Sequence, residues 1–153
     1  FSELANDHGP VVKYCEFERG SSIEVRHLSV RSIGVNHPVS ANGYIVSDGK
    51  ISIAITGDTA ETEEFWQACN STPDLRAVFV ECAFPDELVE LALVSEHLTP
   101  GRLKTELGKL TDRNYPVFVI NIKPMYRDRV IAQIMDQNLD QVEIMSVAKI
   151  YEF

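Results

Sequence analysis

Tyr44-Ile45-Val46-Ser47-Asp48-Gly49-Lys50-Ile51-Ser52-Ile53-Ala54-Ile55-Thr56-Gly57-Asp58-Thr59 is the stretch on which the fold turns. Two apolar runs, Tyr44 to Val46 and Ile51 to Ile55, flank Asp48-Gly49, a hairpin signal because the central positions of such a turn favour positive φ. Upstream, Val11 to Phe17 and Ile23 to Val35 are rich in Val and Ile and broken by Gly20-Ser21-Ser22, which predicts consecutive strands. Beyond Thr59 the period changes to a helical one, with Phe65, Trp66 and Cys69 sharing a face of the segment 62–70. The run Ala77 to Glu81 then predicts a buried strand, and Asp86 to Val94 a short helix. Thr99 and Pro100 open a helix as N-cap and first helical residue, with Leu103, Leu107 and Leu110 inward and Lys104, Glu106 and Lys109 on the expected exposed face. Pro116 to Ile120 predicts another buried strand, Val130 to Met135 another helix, and Val142 to Tyr151 a closing hairpin or edge strand. Residues 1–153 thus predict one α/β unit with a β-rich beginning and no internal repeat.

At 153 residues a chain can bury a real core without disulfides or metal staples. Its 23 acidic against 14 basic side chains give a net charge of −9, which argues against sequence-independent binding to nucleic acid or anionic lipid. No apolar run approaches the ~20 residues of a membrane helix. The opening Phe1-Ser2-Glu3-Leu4 has no initiator Met and no signal-peptide pattern, so a preceding segment is expected. Cys15, Cys69 and Cys82 are widely spaced in apolar contexts without a Cys-x-x-Cys pair. They are expected as reduced core thiols, which points to a cytoplasmic setting.

Four places carry chemistry-bearing residues just after a predicted strand: Asn36-His37-Pro38, Gly57-Asp58-Thr59, Glu81 with the loop to His97, and Asn121-Ile122-Lys123-Pro124. Strand ends in α/β folds are where ligands are usually held. Singly, each has an ordinary structural reading: a Gly-Asp-Thr turn binds its own N–H groups, and a lone histidine is usually structural. His8 and His27 have only that reading, His27 as a solvent-facing strand residue.

Taken in order, the segments Val35-Asn36-His37-Pro38-Val39-Ser40-Ala41-Asn42-Gly43-Tyr44, Ile55-Thr56-Gly57-Asp58-Thr59, Val80-Glu81-Cys82-Ala83-Phe84-Pro85, Ser95-Glu96-His97-Leu98-Thr99-Pro100 and Val119-Ile120-Asn121-Ile122-Lys123-Pro124 resemble the metallo-β-lactamase superfamily. The likeness is to the class II 3′,5′-cyclic nucleotide phosphodiesterases, and more distantly to ribonuclease Z, and runs from Phe1 to Phe153. It implies part of an αββα sandwich, a mixed β-sheet with flanking helices, and a hydrolytic site with two divalent metals, commonly zinc. By that resemblance His37 is a metal ligand and Asp58 a carboxylate bridging both metals. His97 donates a proton to the leaving oxygen, Glu81 orients His97, and Lys123 offers positive charge to a phosphate. The residue types suit this chemistry, since imidazole nitrogen and carboxylate oxygen bind zinc and the metals generate hydroxide at neutral pH.

Two departures stand out. The family's His-x-His-x-Asp-His motif, which supplies most metal ligands, is absent from residues 1–153. Asn121 stands where the family usually has a ligating His before x-Lys-Pro, and an amide is a poor zinc ligand. The leading expectation is a metal-dependent phosphodiesterase hydrolysing cAMP or cGMP, its metals complete only with ligands from a preceding segment. The alternatives are a catalytically degenerate nucleotide-binding or subunit-contact module and a hydrolase of another ester. Expected partners are the cyclic nucleotide, with a homodimer or the preceding segment as candidate protein contacts, and neither nucleic acid nor membrane.

Overall fold

The computed structural model describes residues 5–11, 16, 18–111 and 114–153. Cys15 and most of the predicted Val11 to Phe17 strand lie outside them. A two-stranded ribbon, β1 (Ala5–Asn6) with β2 (Gly9–Pro10), precedes a seven-stranded sheet. In spatial order the sheet runs β3 (Ser22–Val25), β4 (Leu28–Val35), β5 (Ala41–Ser47), β6 (Ser52–Ile55), β7 (Leu75–Glu81), β8 (Val117–Ile120) and β9 (Val142–Ile144). β3 to β6 pair antiparallel and β6 to β9 parallel. The sheet is therefore mixed, with α1 (Glu64–Asn70), α2 (Val89–Val94), α3 (Pro100–Leu107) and α4 (Arg127–Asp136) in the connections between its parallel strands. Parallel strands need such crossovers, whereas the antiparallel half needs only turns.

The chain enters β9 after α4, so the last segment is an edge strand parallel to β8 and not a hairpin. His27 sits in the tight turn between β3 and β4 and is exposed, as expected, though not within a strand. The β5–β6 hairpin forms with Ser47 opposite Ser52. Its loop spans four residues and places only Gly49 at positive φ. The Asp48 carboxylate accepts the N–H groups of Lys50 and Ile51, at 2.8 and 2.9 Å. That Asx turn replaces the positive φ expected at both Asp48 and Gly49, and those bonds lower the Asp48 pKa.

The main core joins Val78 and Val80 of β7, Val117 and Val119 of β8, and Ile33, Val35 and Ile45 of the antiparallel half to Phe65 and Trp66 of α1 and Leu103 and Leu107 of α3. A smaller cluster on alternating positions, Ala77, Phe79 and Phe118, is covered by Tyr151, whose ring centroid lies 4.7 Å from that of Phe118. Alternation along β7 thus supplies both clusters. Cys69 and Cys82 are buried free thiols; burial pushes Cys69 up to about 12 and Cys82 up as well, so both are inert packing groups.

One expectation fails instructively. Glu106 is fully buried, not part of an exposed face. Its Oε2 accepts the Trp66 indole N–H at 2.7 Å and the Thr62 N–H at 2.9 Å, and its Oε1 lies 2.7 Å from Lys109 Nζ. Burying Trp66 requires an acceptor for its N–H, and α3 delivers one. Partial burial of the Lys109 ammonium works against its charge, but the carboxylates of Glu106 and Glu63 outweigh this and hold its pKa above the usual value. Thr99 makes no side-chain cap; instead Asp86 Oδ1 accepts the Gly101 N–H at 2.8 Å, closing the start of α3 from another element. Glu106→Ala should lower the unfolding free energy by about 3 kcal/mol in urea titration, because two buried donors lose their acceptor. Glu106→Gln, which keeps a carbonyl oxygen for Trp66 and Thr62, should lose less than half of that.

Candidate metal centre

The antiparallel pairing of β4 with β5 and of β5 with β6 makes β4 parallel to β6, and β7 and β8 run the same way. The C-terminal ends of β4, β6, β7 and β8 therefore open on one edge, and each delivers one of the sequence-predicted residues. His37 follows β4, Asp58 follows β6, Glu81 ends β7 and Asn121 follows β8. His97 arrives on the loop between α2 and α3. Gly57, at φ +66°, makes the turn that presents Asp58, and a Cβ there would stand 3.3 Å from the Asn42 carbonyl oxygen.

One donor atom from each of His37, Asp58 and His97 lies within 4.8 Å of the other two. The rings of His37 and His97 meet edge to face at 5.4 Å between centroids. Donors on one tetrahedral ion at ~2.1 Å stand roughly 3.4 Å apart, so a contraction of at most about 1.4 Å would close the trio on a cation. His37 Nδ1 is buried without a hydrogen-bond partner among the described residues, an orphan that a cation or an ordered water would satisfy. Two imidazoles and a carboxylate suit zinc, iron or manganese for one ion. A two-ion centre needs more donors than these described residues bring together.

Glu81, fully buried, organises the trio. Its Oε1 lies 2.6 Å from His97 Nδ1 and 3.0 Å from the Thr59 N–H, and its Oε2 3.4 Å from the Leu98 N–H. One carboxylate thus ties the loop carrying Asp58 to the loop carrying His97. With Nδ1 engaged, His97 is left with Nε2 for the site. Phe84 packs its ring edge-on against His97 at 5.6 Å, limiting the imidazole's rotation.

Asn121 takes the left-handed conformation, φ +55°, which asparagine tolerates better than most residues. Its Nδ2 donates to Asp58 Oδ1 at 2.5 Å. The amide therefore presents hydrogen to the carboxylate and orients it, in the way ligating carboxylates are held. The Lys123 backbone N–H donates to the Ala83 carbonyl, joining the end of β8 to that of β7.

Sequence reasoning missed a clamp outside the trio. Arg102 of α3 donates Nε to Glu61 Oε1 at 2.5 Å and Nη2 to Glu61 Oε2, while its Nη1 donates to the His97 carbonyl at 2.5 Å. Asn36, beside His37, donates to the Glu61 carbonyl oxygen. Glu61 and Arg102 thereby lock together the loops carrying His37, Asp58 and His97. They are separated by 41 positions, and nothing in sequence pairs one exposed-type Glu with one exposed-type Arg.

No protein-family model and no curated protein sequence matches the chain. Solved structures do. The metallo-β-lactamase fold protein YhfI from Bacillus subtilis superposes over 87% of this chain and 53% of its own at TM-score 0.70 and 13% identity. This chain has the metallo-β-lactamase fold. The short form of human tRNase Z matches over 80% of this chain and 42% of its own, at TM-score 0.58 and 15% identity. CmlA, a diiron β-hydroxylase from Streptomyces venezuelae, matches over 86% and 33%, at TM-score 0.57 and 9% identity. The chain spans about half the length of the first two structures or less. Because a metallo-β-lactamase fold carries both a tRNase and a hydroxylase in these neighbours, the chemistry must be argued from the site.

Arg102 bonding holds the Glu61 carboxyl below the usual range. Such a depressed acid contributes stability above its unfolded value, near 4.3, and loses it as pH falls through the lower folded value. Acid titration should show a loss of stability below about pH 5 that is reduced in Glu61→Gln; equal acid limbs in both proteins would contradict the clamp. Asn121→His, placing an imidazole beside Asp58 at a φ that histidine accepts, should tighten Zn²⁺ binding by about tenfold or more in a chelator competition.

Proposed function

We propose that the chain carries part of a metal-dependent hydrolase of phosphodiesters, with 3′,5′-cyclic nucleotides as its substrates. The convergence of His37, Asp58 and His97 on one sheet edge carries this reading, with Glu81 gripping His97 from behind. Its support is the donor set, the tRNase among the neighbours of like fold, and the resemblance of segment 95–100 to the cyclic nucleotide branch.

In this reading His37 and Asp58 would hold the divalent metals, zinc by donor type, together with ligands from outside the described residues. The metals, when bound, supply Lewis-acid charge for the phosphate oxygens and ionise a water near neutral pH. Asn121 fixes the orientation of the Asp58 carboxylate by donating to Oδ1. His97, held through Nδ1, delivers a proton from Nε2 to the departing ribose oxygen. Glu81 keeps that imidazole in one orientation. The closed rear of the site, with Glu81, Thr59 and Leu98 buried, excludes water behind His97.

A second reading follows from Asn121. With an amide where the resembled family has an imidazole, the chain is a nucleotide-binding or subunit-contact module that has lost turnover. The partner side of the proposal is one small cyclic nucleotide, with a second copy of the chain as the candidate protein contact and a cytoplasmic setting. Among the described residues no helix is long and apolar enough to cross a membrane.

Turnover of cAMP and cGMP by the full chain, assayed with Zn²⁺ or Mn²⁺ and with a chelator, decides between the two readings. The enzyme reading expects hydrolysis abolished by chelation and reduced about 10²- to 10⁴-fold in His97→Asn. Metal-insensitive activity, or metal binding with no turnover, refutes it, and the latter result favours the module.

A further inference from the structure

The cleft beside His37, about 610 Å³, is lined by Arg19, Asn36, Glu61, Glu96 and Arg102 among others. Arg102 is paired with Glu61, and Glu96 brings a further acid. Arg19 has no carboxylate within ion-pair distance among the described residues. Its described polar contact is one hydrogen bond from Nη2 to the Val35 carbonyl oxygen, at 3.3 Å. Val35 precedes His37 by two residues, roughly 7 Å of extended chain. The guanidinium therefore lies near the metal centre with most of its five donors uncommitted.

Its position is built rather than incidental. The turn 18–21 is riveted to β4 through buried Ser32: Ser32 Oγ donates to the Glu18 carbonyl at 3.0 Å, Gly20 N–H to the Ser32 carbonyl at 3.1 Å, and Ser32 N–H to the Ser21 carbonyl at 3.1 Å. The guanidinium then lies flat over Gly34. A Cβ at that position would fall 1.9 Å from Arg19 Cζ and Nε, so any other residue there displaces the arginine. A second cleft of about 640 Å³, lined by Arg31, Glu64 and Gln67 among others, also touches Arg19. Arg19 therefore borders both clefts, and its uncommitted N–H groups offer a partner to an anion in the groove beside His37.

We propose that Arg19 is a substrate-binding residue that grips the phosphate of a nucleotide lying in this groove, held in place by the absence of a side chain at Gly34. This deepens the phosphodiesterase reading and rests on it for the substrate class, whereas the arginine contact itself requires neither metal nor turnover. A planar guanidinium matches a phosphate with two parallel hydrogen bonds, which lysine cannot reproduce.

The test is calorimetric titration of the metal-free full chain with inorganic phosphate and with 5′-AMP. Binding should weaken about 10- to 100-fold in Arg19→Ala, the worth of a charge-assisted pair, and less in Arg19→Lys. Gly34→Ala should weaken it like Arg19→Ala. The double variant should be no weaker than Arg19→Ala alone, since both changes remove one contact; it also folds without the clash should Gly34→Ala fail to. Wild-type binding retained in Arg19→Ala, or no measurable phosphate or AMP binding by the wild type, overturns the proposal. Arginine-dependent binding without cyclic nucleotide turnover supports the contact while sinking the phosphodiesterase reading, so the two failures are told apart.

Discussion

A carboxylate removed from water must be given partners, and the partners of Glu81 set the geometry of the site. Thr59 N–H, Leu98 N–H and His97 Nδ1 all converge on it, from two loops that make no backbone pairing with each other in the sheet. Their need to meet one buried acid fixes where Asp58 and His97 stand relative to one another. Removing that acid would leave the donors of both loops unsatisfied inside the protein, a penalty of about 1–3 kcal/mol for each. The same group that keeps the fold closed thus keeps the imidazole aimed.

The sheet supplies the convergence that the loops then refine. A purely antiparallel meander would send successive strand ends to opposite edges. Here the change from antiparallel to parallel pairing at β6 brings the ends of β4, β6, β7 and β8 to one edge. Asn121, after β8, thereby reaches Asp58, after β6, across 63 positions of sequence. Arg102 then adds a constraint from the helical layer, through its bonds to Glu61 and the His97 carbonyl. Two charged groups, one at the end of the sheet and one on a helix, hold the same pair of loops from opposite sides.

Most of this was legible in residue order because the signals were periodic. Alternation in Tyr44 to Ile55, the apolar runs at 77–81 and 116–120, and the placing of chemistry after strands all reflect local rules that packing reinforces. What escaped was non-local and polar. Glu106 sits between Lys104 and Lys109 in a pattern that reads as solvated helix surface, and only the burial of Trp66, 40 positions away, recruits it. Thr99 looked like a cap, but Asp86 reached the helix start first. Asn121 could be read as a lost ligand, and only the left-handed backbone and the bond to Asp58 show what the amide does instead. The positive φ expected at Asp48 was not taken up because its side chain, by accepting two N–H groups, stands in for that backbone geometry.

Asn121 also bears on how such a site would hold a cation. Oδ1 of Asp58 accepts a 2.5 Å hydrogen bond from the Asn121 amide, which orients the carboxylate while lone pairs on its oxygens remain for metal. With the imidazoles of His37 and His97 it makes the three donors that the described residues bring together. All three would suffice for a single open catalytic ion, whereas keeping His97 for proton transfer leaves two and calls for further ligands. If His97 is engaged as a ligand it is not free to protonate a leaving group, so one imidazole cannot serve both purposes in the same state. The two Nδ1 atoms mark the difference between them: that of His37 has no partner among the described residues, while that of His97 already has the Glu81 carboxylate behind it. An imidazole backed by a carboxylate is suited to carry a proton, and one without any other partner is suited to hold an ion, which divides the two histidines between binding and proton transfer.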